Sequence, residues 1–211
     1  MLGLVLQAVH QQRGSGSRTI TKMAYNEDEK RYLEKMMAIL TRTNPGSRCN
    51  RGPTLVLDHL YLGNMADAHD IKLLKRLKIT HIVNCAATKD YSSELKDNPY
   101  PEDTGIDDYL EFEALDNEGY PILRHYRDTR LFIDRARRLG GRVLIHCEMG
   151  VNRSAALCIA YLMEYQDLTL IQAIRDIKIS RPVILLNESF RRQLYSFADE
   201  RRLLYPERSQ Q

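Results

Sequence analysis

The sequence predicts an α/β layered fold, and three observations carry that prediction. Short apolar runs rich in β-branched residues alternate with segments whose apolar positions recur every three or four residues. The chain then closes on a run of helix-period segments, the arrangement expected of helices packed on a sheet. Finally, the unbroken apolar stretch Arg142–His146 leads through a short turn straight into a helix start.

Taken in order, residues 1–25 contain Gly14-Ser15-Gly16-Ser17 and no clear period, and read as a disordered tail. Asn26 and Glu29 have the spacing of a reciprocal helix cap, and Tyr32, Met36, Ile39 and Leu40 carry a helix over residues 26–42. Asn44-Pro45-Gly46 marks residues 43–53 as a linker. Leu55–Leu57 and Leu60–Leu62 read as two short strands, the second stopped by Gly63-Asn64. Residues 66–77 read as one amphipathic helix, with Lys72, Lys75, Arg76 and Lys78 on its solvated side. Ile79–Cys85 is a β-branched strand; Ala86–Asp107 is a long loop holding Asn98-Pro99 and Pro101; Tyr109–Leu115 is the next strand. Ile122, Tyr126, Ile133 and Ala136 place a helix over 121–139, ended by Gly140-Gly141. Three helices follow at 153–165, 169–179 and 188–204, each with Ser, Thr or Asn near its start. No internal repeat is evident, so the chain reads as one domain over 26–205 with a short tail at 206–211.

Bulk properties narrow the function classes. With 211 residues, 43% hydrophobic and 28% charged, the chain reads as soluble and globular. No apolar run approaches the ~18–20 residues of a membrane span, and Met1–His10 lacks the basic start of a signal peptide. A net charge of +3, from 31 basic and 28 acidic residues, argues against nucleic acid and anionic membrane as partners. The four cysteines, Cys49, Cys85, Cys147 and Cys158, form no CxxC pair, which argues against a disulfide framework or a zinc site. Reduced thiols suit the cytoplasm, with the nucleus as a second compartment.

The informative segment runs from Arg142 to Ser154. A turn at the carboxyl end of a strand that opens a helix directs backbone N–H groups inward, and the helix N-terminus adds positive potential. Such a turn is an anion cradle formed by Glu148, Met149, Gly150, Val151, Asn152 and Arg153, with Gly150 allowing the tight bend. Cys147 stands at its mouth, where amides and a cation favour the sulfur anion, the nucleophilic form. Arg153 can fold back and hold two phosphate oxygens with its planar fork. Ser154 can donate a hydrogen bond to a departing thiolate. A buried, merely structural Cys147 would be the better reading of the cysteine alone. A chance match at His-Cys, Gly and Arg-Ser together is expected on the order of once in several thousand chains, so the functional reading prevails.

His146-Cys147-x-x-Gly150-x-x-Arg153-Ser154 resembles the signature of the cysteine-based protein tyrosine phosphatase superfamily, and its surroundings resemble the small, atypical dual-specificity phosphatases. Leu60–Asn64, Ile79–Asn84, Tyr109-Leu110, Ala160–Met163 and Asn187-x-x-Phe190-x-x-Gln193-Leu194 extend the likeness over about residues 26–205. The resemblance implies a central mixed β-sheet of about five strands flanked by helices. It also implies hydrolysis of phosphotyrosine, phosphoserine and phosphothreonine esters on protein substrates through a cysteinyl-phosphate, with no metal or other cofactor. It places the general acid at Asp116, which the residues themselves read equally well as a turn position before Asn117-Glu118-Gly119, with Glu118 as the substitute.

Supporting roles fall to His146, which either orients the neighbouring cysteine or is a plain structural histidine, and to Asn187. Cys85 is a candidate redox partner for Cys147, as in tensin-like relatives, although a buried strand-end cysteine is the simpler reading. Four positions depart from the family pattern. Asn152 replaces a common serine, its amide free to bond the loop backbone. Leu186 replaces a proline and should alter only a surface turn. Glu148 and Met149 replace the lysines of phosphoinositide phosphatases, which disfavours lipid head groups. The rival functions are an RNA 5′-phosphatase, which Asn152-Arg153 hints at but Ser154-Ala155 does not continue, and a phosphoprotein-binding domain without turnover. The helix over 26–42 is a candidate homodimer surface or site cover, simple packing on the domain being the plainer expectation.

Overall fold

The computed structural model describes residues 26–42, 52–87 and 99–206. The expected tail over 1–25, linker residues 43–51 with Cys49, residues 88–98 of the long loop and residues 207–211 lie outside the described residues.

Five strands form one mixed sheet: β1 (Thr54–Leu57), β2 (Leu60–Gly63), β3 (His81–Asn84), β4 (Asp108–Glu111) and β5 (Val143–His146), in the order β1-β2-β5-β3-β4. Only β1 runs antiparallel to its neighbour; β2, β5, β3 and β4 are parallel. Strand β5 lies at the centre and is buried along its whole length, which is why Val143–His146 carries no polar alternation. Its last residue, His146, is level with Gly63 of β2 on one side and Asn84 of β3 on the other. The loops leaving those three strands therefore share one rim.

Among the described residues, seven α-helices cover the sheet: α1 (Glu27–Thr41), α2 (Met65–His69), α3 (Ile71–Leu77), α4 (Tyr126–Arg138), α5 (Arg153–Gln166), α6 (Leu170–Ser180) and α7 (Glu188–Glu200). Helix α5 is the hub. Every residue from Ser154 to Met163 is buried, and the helix packs on α4, α6, α7, β2 and β5. A helix apolar on all faces belongs in the middle of a core. On the other face of the sheet, Ala68, Leu74 and Ile79 close a smaller core over Tyr61, Ile82 and Leu144. Helix α1 lies on α6 and α7 of the same chain, burying Tyr32, Leu33 and Met36.

Several expected elements change. The single helix over 66–77 is two, because Asp70 leaves helical geometry and its carboxylate caps the Leu73 N–H at 2.9 Å. Asn26 caps α1 through the Asp28 N–H, but Glu29 does not return the bond; it pairs with Arg192 of α7 at 3.0 Å. The strands expected over 79–85 and 109–115 shrink to four residues each, His81–Asn84 between β5 and β4 and Asp108–Glu111 at the sheet edge, which the chain leaves after Glu111. The helix over 121–139 starts with a 3₁₀ turn at Ile122–His125. The last helix stops at Glu200 rather than 204, where Arg202 turns into the left-handed region and the Leu203 N–H returns to the Ala198 carbonyl.

Candidate active site

The carboxyl end of β5 delivers the chain to Cys147, and α5 begins at Arg153. The Cys147 sulfur is only 1% exposed as a residue, and accepts hydrogen bonds from the Gly150 N–H and the Ser154 hydroxyl, both at 3.2 Å. Two donors converging on a buried sulfur favour a negative charge there.

The intervening loop is held from outside by its carbonyls. Glu148 O accepts from the Met65 N–H at 3.1 Å and Val151 O from the Leu185 N–H at 2.8 Å. Arg181 takes the two between: its Nε donates to Gly150 O at 2.7 Å and an Nη to Met149 O at 3.2 Å. In a trans peptide the carbonyl and the following N–H point in opposite directions. Four successive carbonyls turned outward therefore turn the N–H groups of residues 149–152 toward the sulfur side, a nest for an anion. Gly150 has φ +66°, and a β-carbon there would collide with the Gly63 carbonyl and the Arg181 guanidinium. Glycine is required on both counts.

Arg153 closes the far side. Its Nη1 donates to Ala114 O at 3.2 Å, its Nη2 to Glu148 Oε2 at 3.4 Å, and its Nε lies 3.9 Å from Asp116 Oδ2. That Nε is buried and makes no hydrogen bond. A thiolate-favouring pocket, a ring of amides and a guanidinium around one point can receive a tetrahedral oxyanion and offer it a nucleophile.

The family model described as "dual specificity phosphatase, catalytic domain" matches residues 60–200, which spans this whole arrangement. The chain belongs to the dual specificity phosphatase family. Among its curated relatives, dual specificity protein phosphatase 1 of Arabidopsis thaliana is 34% identical over 170 residues, covering 81% of this chain and 80% of the relative. A Slingshot protein phosphatase homologue of Xenopus laevis is 34% identical over 171 residues, 81% of this chain but 22% of the relative. The chain thus spans about a fifth of the length of the Slingshot relatives it matches, 22% in that case and 20% for human Slingshot homologue 3. The solved structure of DUSP15 superposes with a TM-score of 0.63 at 34% identity, covering 74% of this chain and 94% of that one.

In this dual specificity phosphatase chain, Asp116 follows the bridge between Ala86 and Glu113 and lies on irregular backbone, not directly at a strand end as the sequence suggested. Its carboxylate nevertheless reaches the site, where Asn152 Nδ2 donates to Oδ1 at 3.2 Å and to Oδ2 at 3.1 Å. Asn187 Nδ2 donates to Oδ1 at 3.1 Å. Glu118 is exposed and lines a groove toward α7. Asn152 corrects an expectation: its amide leaves the cradle backbone alone and bridges Asp116 to the Asn187 N–H, which its Oδ1 accepts at 3.1 Å. It therefore gives α5 no side-chain cap. Leu186 is 65% exposed, in line with a change confined to a surface turn.

His146 is buried with its Nδ1 unpartnered, and burial holds its pKa down at about 4, against a smaller opposing contribution from the Cys147 backbone. The ring is therefore neutral at ordinary pH. Cys85 is fully buried beside the site, its N–H on His146 O at 2.8 Å, and burial, then the Cys147 charge, pushes its thiol well up. Cys158 faces the core, pushed up to about 12 by burial.

Sequence reasoning missed Arg181 and the Ala114 carbonyl. Arg181 follows the end of α6 and precedes Pro182, where a basic residue reads as a helix-end charge. Its target Gly150 is 31 residues away, so no local period signals the contact.

Proposed function

We propose that this chain hydrolyses phosphate monoesters of tyrosine, serine and threonine on phosphorylated proteins, with Cys147 as nucleophile. The observation that carries the reading is the Cys147 sulfur itself, buried between the Gly150 N–H and the Ser154 hydroxyl at the start of the loop that ends in Arg153. Both steps follow from these groups. The thiolate attacks phosphorus, an S–P bond forms as the ester P–O bond breaks, and the Asp116 carboxyl hands its proton to the leaving oxygen. Water then attacks phosphorus, Asp116 takes the water's proton, and the S–P bond breaks. Ser154 supports the departing thiolate by its hydrogen bond, and inorganic phosphate leaves. During both displacements charge spreads over the equatorial oxygens, which the loop N–H groups and the Arg153 fork are arranged to hold without reorganisation.

The substrates belong with reduced intracellular compartments, cytoplasm and nucleus, consistent with Cys85, Cys147 and Cys158 all standing as free thiols. The exposed Glu148 and Met149 on the loop's outer face make a highly anionic lipid head group or an RNA 5′-triphosphate a poor fit.

The test is a panel of phosphopeptides, inositol phospholipids and 5′-triphosphorylated RNA, assayed with the parent and with Cys147→Ser. Phosphate release from the peptides alone, abolished by Cys147→Ser, is the expected outcome. Equal activity of the two proteins, or release from RNA or lipid ahead of every peptide, overturns the reading.

A further inference from the structure

We propose that Asn152 is a positioning residue for proton transfer, which holds the Asp116 carboxylate in register with the Cys147 sulfur and leaves Oδ2 as the oxygen that carries the proton. The inference rests on the catalytic reading above.

Asp116 sits on backbone that no sheet or helix fixes. A carboxylate on such a segment holds its direction only if other elements hold it, and a proton donor misplaced by about an ångström loses much of its effect. Two amides supply the hold here. Each is itself oriented by a backbone donor, which settles which end of the amide faces the carboxylate. Asn152 Oδ1 accepts the Asn187 N–H at 3.1 Å, so its NH₂ points at Asp116. Asn187 Oδ1 accepts the Phe190 N–H at 3.2 Å, and its NH₂ reaches both Asp116 Oδ1 and the Asn117 carbonyl.

The two amides are not equivalent. Asn187 caps α7 and ties Asp116 to that helix. Asn152 lies in the same short loop as Cys147, immediately before α5, so its hydrogen bonds fix the carboxylate relative to the nucleophile, with the Arg153 guanidinium at 3.9 Å as the looser second contact from that loop. The oxygens are not equivalent either. Oδ1 takes donors from both asparagines, whereas Oδ2 takes one amide bond at 3.1 Å and faces the Arg153 Nε at 3.9 Å. Oδ2 makes one hydrogen bond to the two of Oδ1, and its other neighbour is the Arg153 guanidinium, which bound phosphate would draw away; Oδ2, on that side, is the oxygen placed to carry and release a proton. In the first step that proton passes from Oδ2 to the ester oxygen as its bond to phosphorus breaks. In the second, Oδ2 receives a proton from the attacking water.

Serine at 152 cannot replace this hold, since its hydroxyl lies one bond closer to the backbone than the amide nitrogen. The test measures kcat and KM for aryl phosphates of graded leaving-group acidity and one alkyl phosphate, using the parent, Asn152→Ala, Asn152→Ser and Asp116→Asn/Asn152→Ala. Both single variants should lose about tenfold in kcat on the alkyl and least acidic aryl esters, where protonation of the leaving group matters most. They should lose under about twofold on the most acidic aryl esters, which leave unassisted. Vanadate affinity, read by titration, should stay at the parent value, and the double variant should be no slower than Asp116→Asn alone.

A loss equal across all leaving groups, a parallel fall in vanadate affinity, or an additive loss in the double variant overturns the proposal. If Cys147→Ser is inactive and Asp116→Asn impaired while Asn152→Ala behaves as the parent, this inference fails and the phosphatase reading stands. If Cys147→Ser is active, the reading beneath it fails first.

Discussion

Asn152 donates its amide to both oxygens of the Asp116 carboxylate, at 3.2 and 3.1 Å, although the two residues are 36 positions apart in the chain. This contact joins the loop that carries Cys147 to the segment that carries Asp116. Arg153, next in the chain, brings its Nε to 3.9 Å from the same carboxylate, so residues 152 and 153 both hold Asp116 to the loop of Cys147.

Replacing Asp116 by asparagine removes the transferable proton but keeps the shape of the side chain. Turnover of an alkyl phosphate should fall by about 10²-fold or more, the usual worth of a positioned acid. Vanadate affinity should hold. Steady-state kinetics alongside vanadate titration separates the two, and undiminished turnover on alkyl and aryl esters alike would remove Asp116 from the mechanism.

Arg181 shapes the cradle from behind, through the Gly150 and Met149 carbonyls and, at 3.4 Å, the Leu62 carbonyl. Arg181→Ala should weaken vanadate or tungstate binding by tenfold or more, about 1.4 kcal/mol, while leaving the leaving-group dependence of kcat as it was. Arg181→Lys should restore little, because an ammonium cannot span three carbonyls as a planar fork does. Calorimetric titration with tungstate reads both variants; full affinity in Arg181→Ala would contradict the carbonyl-clamp account.

Gly150→Ala meets two obstacles together. The left-handed backbone costs a residue with a β-carbon roughly 1–2 kcal/mol, and the new methyl presses on the Gly63 carbonyl, which belongs to β2 and cannot swing away. The loop should open and anion binding should be lost, while circular dichroism still reports a folded chain. Unaltered tungstate binding in this variant would sink the geometry argued for the loop.

His146 makes stability depend on pH. Its native pKa is about 4 against an ordinary 6.5, so below pH 6.5 the unfolded chain takes up a proton that the native ring refuses. The associated stability is fully present above pH 6.5 and is lost as the pH falls toward 4, roughly 3 kcal/mol at ~1.4 kcal/mol per pH unit. His59, His81 and His125 are shifted the same way by burial and add to the trend. Urea unfolding at pH 7 and at pH 4.5 should therefore differ more for the parent than for His146→Gln. Identical pH slopes for the two proteins would show that the ring is protonated in the native state.

The nine residues from His146 to Ser154 announced the site because the features that mark them as a cradle are encoded within that short stretch, although the groups that hold its carbonyls are not. An apolar strand, a glycine where φ must be positive and a helix start are all local properties, set by sterics and hydrogen bonds between residues a few positions apart. The caps at Asn26, Asn187 and Thr169 were legible for the same reason. So was the α/β alternation, because burial on a sheet or a helix leaves a period of its own.

Tertiary structure decided what no local period records. Asp70 reads as an ordinary polar position in a long helix until its carboxylate is seen to cap a second one. Glu29 has the spacing of a capping partner, yet the approach of α7 brings Arg192 to it instead. Asn152 reads as a loop residue; only the meeting of residues 116, 152 and 187 turns it into a clamp on the Asp116 carboxylate. By itself the sequence pointed to Cys147, to the turn after it as an anion cradle, and to the layered class. The placement of Arg181, Asp116 and the Ala114 carbonyl around them followed from the strand order, which sets β2 and β3 on either side of β5 and gathers their loops at one rim. Such contacts depend on packing across the whole core, where residues distant in the chain meet, and so leave no mark on any short stretch of it.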